Sequence, residues 1–412
     1  MCKTTTPPRP AAQDAIRKLP PNTNAPAVIP LQSYLAKYST QFVNDFVPAT
    51  PPAFPPDLPD PLAYKRVAFS LLPLRANAVS PYYAGIFDDD TDFSASLVKV
   101  AVLFAAGQLL AAAKAAPLGA ANAASFNNAV KVEITANADP RVRNANYSSS
   151  PVGLLPKMST ILQVSGSSVT FTPTFNTNLS QMIVRSSDSA SAFCINRLGY
   201  GYISAVLNEK NFFDSTLTPG PTMTGATGRG IWLTANYASD FLVRIRCVND
   251  HPDSQLATTR QMCRLFSMIR LKQLPETDID TNTLMQSLLN EPKTGPEHTT
   301  PWLSPNRPLG VTPLFTILQD KIGVGGLGAA RKPSVYSEGL IIKWNNPDKP
   351  SQVDGFNKII DHENSNPNIH LSGEFAVCWQ NLLADDLGAT NFDGIIEVLN
   401  NSISDFLDQK AV

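Results

Sequence analysis

A surplus of charge of either sign is missing from this chain. Its 33 lysines and arginines stand against 34 aspartates and glutamates over 412 residues, for a net charge of -1. Nucleic-acid binding needs a basic patch or stripe, and none stands out, so no polyanion partner is expected. Cysteine is scarce as well. The five thiols (Cys2, Cys194, Cys247, Cys263, Cys378) form no CxxC and are odd in number. They read as buried thiols in a reducing compartment more readily than as a disulfide framework. The four histidines (His251, His298, His362, His370) lack metal-ligand spacing, so no metal and no other cofactor is expected. The acidic run DDDTD at 88–92 lacks the glycine and terminal glutamate of a calcium loop and reads as a solvated turn. A secretory leader is missing too: MCKTTTPPRPAAQDAIRKLPP has no apolar core after its basic residues. The default expectation is therefore cytoplasmic, or periplasmic or secreted if a leader precedes the sequence.

What the chain does have is enough apolar character, 43%, for a full-sized core. Fourteen of its 35 prolines fall in residues 1–61. Residues 1–62 therefore read as a proline-rich, largely extended arm, interrupted by a short helix over 30–47. Residues 63–412 read as one globular domain. SPYYAGIF is a strand candidate, and SASLVKVAVLFAAGQLLAAAKAA a long helix. That run is about the length of a membrane span, but Lys99, Gln108, Lys114 and its alanine content mark a buried helix, so no membrane span is expected. Polar loops and short strands follow, with TILQVSGSSVTFTPTF as a hairpin. Helical segments come next at LSQMIVRSSDSASAFCINRLG, TANYASDFLVRIRCV, LATTRQMCRLFSMIRLKQL and TNTLMQSLLNE. PLFTIL, SVYSEGLIIKW and HLSGEFAVCWQNL return to strand, and NFDGIIEVLNNSISDFLDQ is a last amphipathic helix. This order predicts an α/β fold: an antiparallel sheet flanked by helices, its first strand joining the late ones, with a helical subdomain over roughly 100–300 inserted between them.

The stretch DKIGVGGLGAARK holds Gly323, Gly325 and Gly328 at the spacing of a dinucleotide fingerprint. That pattern has physical content only between a strand and a helix. Here Pro333 and the β-branched and aromatic residues after it read as a second strand, so the glycines read as a flexible connection beside Lys321. Elsewhere, Ser96 precedes Lys99 by three residues at the start of a helix, where i and i+3 share a face. An amine held there can take the hydroxyl's proton, and the free N–H groups of the helix start can hold an oxyanion.

Taken with Ser187-Asp188-Ser189 inside a helical region and Lys321-Ile322-Gly323 on a strand, this resembles the serine β-lactamase and penicillin-binding-protein superfamily. Its signatures, in order, are S-x-x-K, S-D-N and K-T-G. The resemblance covers roughly residues 80–410 and is closest to the class A-like branch. It implies that Ser96 is the nucleophile and Lys99 its base. Ser187 would relay a proton to the leaving group, and Lys321 would polarise Ser187 or attract a substrate carboxylate. Gly323 would let substrate lie against the strand, and the backbone N–H groups of Ser96 and Val324 would form the oxyanion hole. Ser189 stands where asparagine is usual, and Ile322 where threonine is usual. No E-x-x-L-N stretch lies between Ser187 and Lys321, which puts efficient class A penicillin hydrolysis in doubt. A literal Lys293-Thr294-Gly295 exists, but proline flanks it on both sides, so Lys321 is preferred. The expected activity is hydrolysis of a small-molecule amide or ester, a β-lactam among them, through an acyl-enzyme on Ser96. The alternatives are a D,D-peptidase or transpeptidase-like enzyme and a non-catalytic ligand-binding scaffold of the same fold.

Overall fold

The computed structural model describes residues 30–46, 67–75, 82–116, 123–144, 153–165, 168–214, 228–234, 243–245, 247–249, 251, 255–274, 278–291, 310–326, 334–344, 371–383 and 388–408. A five-stranded antiparallel sheet organises them. Its strands are β1 (Ala68–Arg75), β2 (Ala84–Ile86), β3 (Phe315–Gly326), β4 (Ser334–Trp344) and β5 (Leu371–Leu383), in the spatial order β3-β4-β5-β1-β2. The architecture is α/β, with helices on both faces of the sheet and a helical region entering the chain between β2 and β3.

The central strands are buried on both faces, so they read as near-continuous apolar runs, as in GLIIKW of β4 and EFAVCW of β5. Helices α1 (Leu31–Phe46) and α8 (Gly388–Asp408) cover one face. Apolar residues of α8 recur at 392, 395, 396, 399, 403, 406 and 407, one stripe of a 3.6-residue period. They bury against Trp379, Leu340 and Phe69 of the sheet together with Leu31, Tyr34 and Leu35 of α1. The other face meets α6 (Thr259–Arg270), behind which lie α2 (Lys99–Ala115), α3 (Pro173–Val184), α4 (Asp188–Leu198), α5 (Tyr200–Glu209) and α7 (Ile279–Asn290). Residues 95–115 are long and apolar enough to cross a membrane, and they lie in the middle of this second core, with Val100 to Ala106 wholly buried.

Most expected elements are present, including the 162–171 hairpin and the helices over 259–270, 279–290 and 388–408. Several differ. The strand that joins the early chain to the late strands is β1, which the sequence reading passed over; SPYYAGIF supplies only the short edge strand β2. A register shift falls between Pro73 and Arg75, the place where a strand tolerates proline. The region read as polar loops holds a helix over Ala123–Asn137, and α5 was also missed. Within TANYASDFLVRIRCV the described residues 243–245 are not helical. The largest difference is at DKIGVGG. Strand β3 continues through Gly326, so Gly323 and Gly325 are strand residues and not a connection.

Gly339 of β4 shows how closely the sheet meets α6. A Cβ added there would fall against the ring of Phe266, within 2.9 Å of Cδ2 and Cζ. Gly339→Ala is therefore expected to cost about 1–3 kcal/mol through overpacking. A second change, Phe266→Leu, should recover part of that loss in denaturant unfolding. Simple addition of the two losses would show that the contact is not what makes glycine necessary.

Candidate active site

Ser96 sits in a 3-10 turn, Ala95–Val98, that runs directly into α2. The turn is tied down from below. Ser94 N and Ser94 Oγ both donate to Gln255 O, at 2.9 and 3.0 Å. Phe93 N donates to Asn249 Oδ1 at 2.9 Å, and Asn249 Nδ2 donates in turn to Asn381 Oδ1 of β5 at 3.1 Å. The Phe93 ring stacks on His251, with centroids 3.6 Å apart. Ala95 has φ +46, a left-handed conformation that costs a non-glycine residue energy and persists only where its surroundings enforce it. Ser96 is partly exposed while Ala95, Leu97, Val98 and Lys99 are buried.

Edge strand β3 closes on this turn. A Cβ at Gly323 would collide with Ser94 O and would lie 2.7 Å from Leu97 N and 3.0 Å from Ser96 N. Glycine is thus required here by the close approach of two backbones. Gly323 was expected to let substrate lie against the strand; at its Cβ position the backbone of the Ser94–Leu97 turn fills the space instead. Val324 follows it, with a side chain 37% exposed at the strand's outer rim.

Lys99 and Lys321 converge on a single hydroxyl, which belongs to Ser186. Lys321 Nζ donates to Ser186 Oγ at 2.8 Å and to Ile322 O at 2.8 Å. Lys99 Nζ donates to Ser186 Oγ at 3.2 Å, to Ser186 O, and to Asp188 Oδ1 at 2.8 Å. Lys99, Lys321 and Ser186 are all buried. Among the described contacts no hydrogen bond joins Lys99 Nζ to Ser96 Oγ. The pair is linked through the turn, where Lys99 N donates to Ser96 O, and i and i+3 eclipse in 3-10 geometry.

The resemblance gave Ser187 the role of proton relay, but the hydroxyl that meets both lysines belongs to its neighbour Ser186. Ser187 is the N-cap of α4: its Oγ accepts from Ala190 N at 3.2 Å and lies 3.1 Å from Ser189 Oγ. Capping satisfies an otherwise orphaned helix N–H, so that hydroxyl is committed to the helix. Ser186, one residue earlier, has φ +52, which turns its side chain in towards the two amines. Asp188, and not Ser189, is the residue whose side chain reaches Lys99; Ser189 is exposed. The signal was in the letters. A serine followed by aspartate at the start of a helical run is an N-cap pattern, which leaves the serine before it available. Of the two candidate lysines, Lys321 is in the cluster, and Lys293 lies outside the described residues.

Burial pushes the Lys99 ammonium down to about 8 from its ordinary 10.5, and the Asp188 carboxylate keeps it from falling further. Among the described residues no group of three His, Cys, Asp or Glu side chains is arranged to hold a metal. Cys194, Cys247, Cys263 and Cys378 are free and buried, and burial raises every one of these thiols, Cys247 to about 12.

No family model matches the chain, and no curated protein matches it by sequence. Solved structures do. A halotolerant bacterial β-lactamase is 12% identical, with 82% of this chain and 95% of that one covered and a TM-score of 0.42. A β-lactamase from Chitinophaga pinensis is 10% identical, covering 89% and 97%, with a TM-score of 0.45. A class D β-lactamase from Fusobacterium nucleatum is 11% identical, covering 81% and 91%, with a TM-score of 0.35. The likeness lies in the course of the fold, with every TM-score below 0.5. It is distant, and no residue role here is taken from it.

The depressed lysine has a consequence for stability. In the unfolded chain Lys99 holds its proton up to about 10.5, in the folded one only to about 8. The folded state is therefore penalised wherever the lysine is protonated, by at most about 3 kcal/mol. The penalty is full below pH 8 and disappears as pH rises from about 8 to 10.5. Lys99→Met is expected to be more stable than wild type at pH 7, by less than that limit because hydrogen bonds to Ser186 and Asp188 are lost. The gap should narrow as pH approaches 10.5. Denaturant unfolding at several pH values measures it, and a variant less stable at pH 7 would contradict it.

Proposed function

We propose that the protein is a serine hydrolase that forms an acyl-enzyme on Ser96 with an amide or ester, a β-lactam among the candidates. The observation that carries this reading is the convergence of two buried lysines on Ser186 Oγ, beside a partly exposed serine on a strained, well-anchored turn. Burying two lysine amines around one hydroxyl carries a clear desolvation cost, a pattern found more often at sites kept for chemistry than elsewhere.

In this mechanism Lys99, in its neutral form, takes the proton of Ser96 as its oxygen attacks the carbonyl carbon. The backbone N–H groups of Ser96 and Val324 receive the oxyanion. Ser186 then supplies the leaving group's proton. With two amines donating to its oxygen, its own O–H is the group left to give, and Lys99 returns the proton it took. Lys321 stabilises the negative charge that develops on Ser186 Oγ during this transfer. The chain has no E-x-x-L-N stretch between Ser187 and Lys321. The acyl-enzyme is therefore expected to be long-lived, with slow hydrolysis of penicillins.

Intact mass after exposure to benzylpenicillin, together with turnover of p-nitrophenyl acetate, tests the reading. Wild type should carry a persistent penicilloyl adduct or turn over the ester, and Ser96→Ala should do neither while remaining folded. Ser186→Ala should lose about 10²–10⁴-fold in acylation, the range for a general acid. Ser187→Ala should cost about 1 kcal/mol of stability as a lost cap and leave acylation within about threefold of wild type. Equal activity in Ser96→Ala would end the hydrolase reading, and the reverse order of the two serine variants would restore Ser187 as the relay.

A further inference from the structure

Asp188 stands out among the groups around the lysine pair because its carboxylate is only half used. One oxygen accepts from Lys99 Nζ at 2.8 Å, yet the side chain is 65% exposed, against complete burial of its lysine partner. The second oxygen therefore faces outward from the rim of the cluster. The hydroxyls on either side do not engage it: Ser187 Oγ and Ser189 Oγ are paired with each other, and Ser187 Oγ also holds Ala190 N. Asp188 opens α4, the end of a helix where a carboxylate is favoured, so its charge is well supported there.

A carboxylate accepts hydrogen bonds and cannot donate one. A substrate carbonyl or carboxylate laid against that outer oxygen would meet lone pairs with no proton between them. An amine would form a charge-assisted hydrogen bond, kept apart from Lys99 by the carboxylate itself. We infer that Asp188 is a specificity residue that selects acyl groups bearing an amine near the carbonyl under attack by Ser96. This inference rests on the hydrolase reading and names its substrate class.

The test compares p-nitrophenyl esters of alanine, propionic acid and succinic acid, which carry an amine, no polar group and a carboxylate respectively. The value of kcat/KM is measured at pH 7 on the full chain, net of spontaneous hydrolysis, for wild type and Asp188→Asn. Wild type should prefer alanyl over propionyl by about tenfold, the effect of one partly solvated charge-assisted hydrogen bond. Succinyl should fall below propionyl. In Asp188→Asn the alanyl-to-propionyl ratio should approach one, and the ratio cancels any change in Lys99 common to all three esters. A ratio near one in wild type, or an unchanged ratio in the variant, overturns the inference. Fluorophosphonate labelling of Ser96 separates the two levels of failure. A labelled chain without amine preference loses this inference alone, and an unlabelled one loses the hydrolase reading with it.

Discussion

One hydroxyl shared by two buried amines is the interaction on which the rest of this molecule depends. Ser186 Oγ lies where α2, the α3–α4 junction and the edge strand β3 meet, and it bonds Lys99 from the first and Lys321 from the last. Each lysine is expensive to bury, and the surrounding fold is shaped to hold them. The sheet supplies an edge, α2 is anchored by the wholly buried apolar run from Val100 to Ala106, and the helix break at 185–187 delivers the hydroxyl between them.

Two backbone strains serve this arrangement. Ala95 and Ser186 both adopt positive φ, the first immediately before Ser96 and the second at the shared hydroxyl. Such conformations cost of order 1 kcal/mol or more each and survive when packing over-determines them. At Ala95 the constraint comes from Gln255, Asn249 and the Gly323 contact; at Ser186 it comes from the cap of α4 and the lysines. The energy stored at these positions, and in the lowered basicity of Lys99, has to be supplied by the two cores on either face of the sheet.

Much of this was legible in the sequence, for reasons that can be named. Long periodic segments such as 388–408 and continuous apolar strands such as GLIIKW carry their own signal. The Ser96–Lys99 spacing and Lys321 were legible because each is fixed by local geometry: one turn of helix, and one position on a strand. What failed depended on contacts distant in sequence. Nothing local says that Gly323 faces the backbone of Ser94 to Leu97, so the glycines read as a loop. Strand β1 contains a proline and becomes central only through its pairing with β5, some 300 residues later. The adjacent serines 186 and 187 differ in surroundings because one caps a helix and the other meets the lysines, a difference that the letters of a signature do not carry. Asp188, the exposed acid of the cluster, was likewise read as the middle of that signature and not as the partner of Lys99.

The central claim is that Lys99, depressed by burial and held up by Asp188, activates Ser96. The rate at which a neutral fluorophosphonate modifies Ser96, followed by intact mass across pH 6 to 10, addresses it most directly. The account expects the rate to rise with a midpoint near pH 8 in wild type, and the midpoint to move lower in Asp188→Asn, where the carboxylate that favours the ammonium is gone. A rate independent of pH over that range, or a midpoint that stays put or rises in Asp188→Asn, would contradict it.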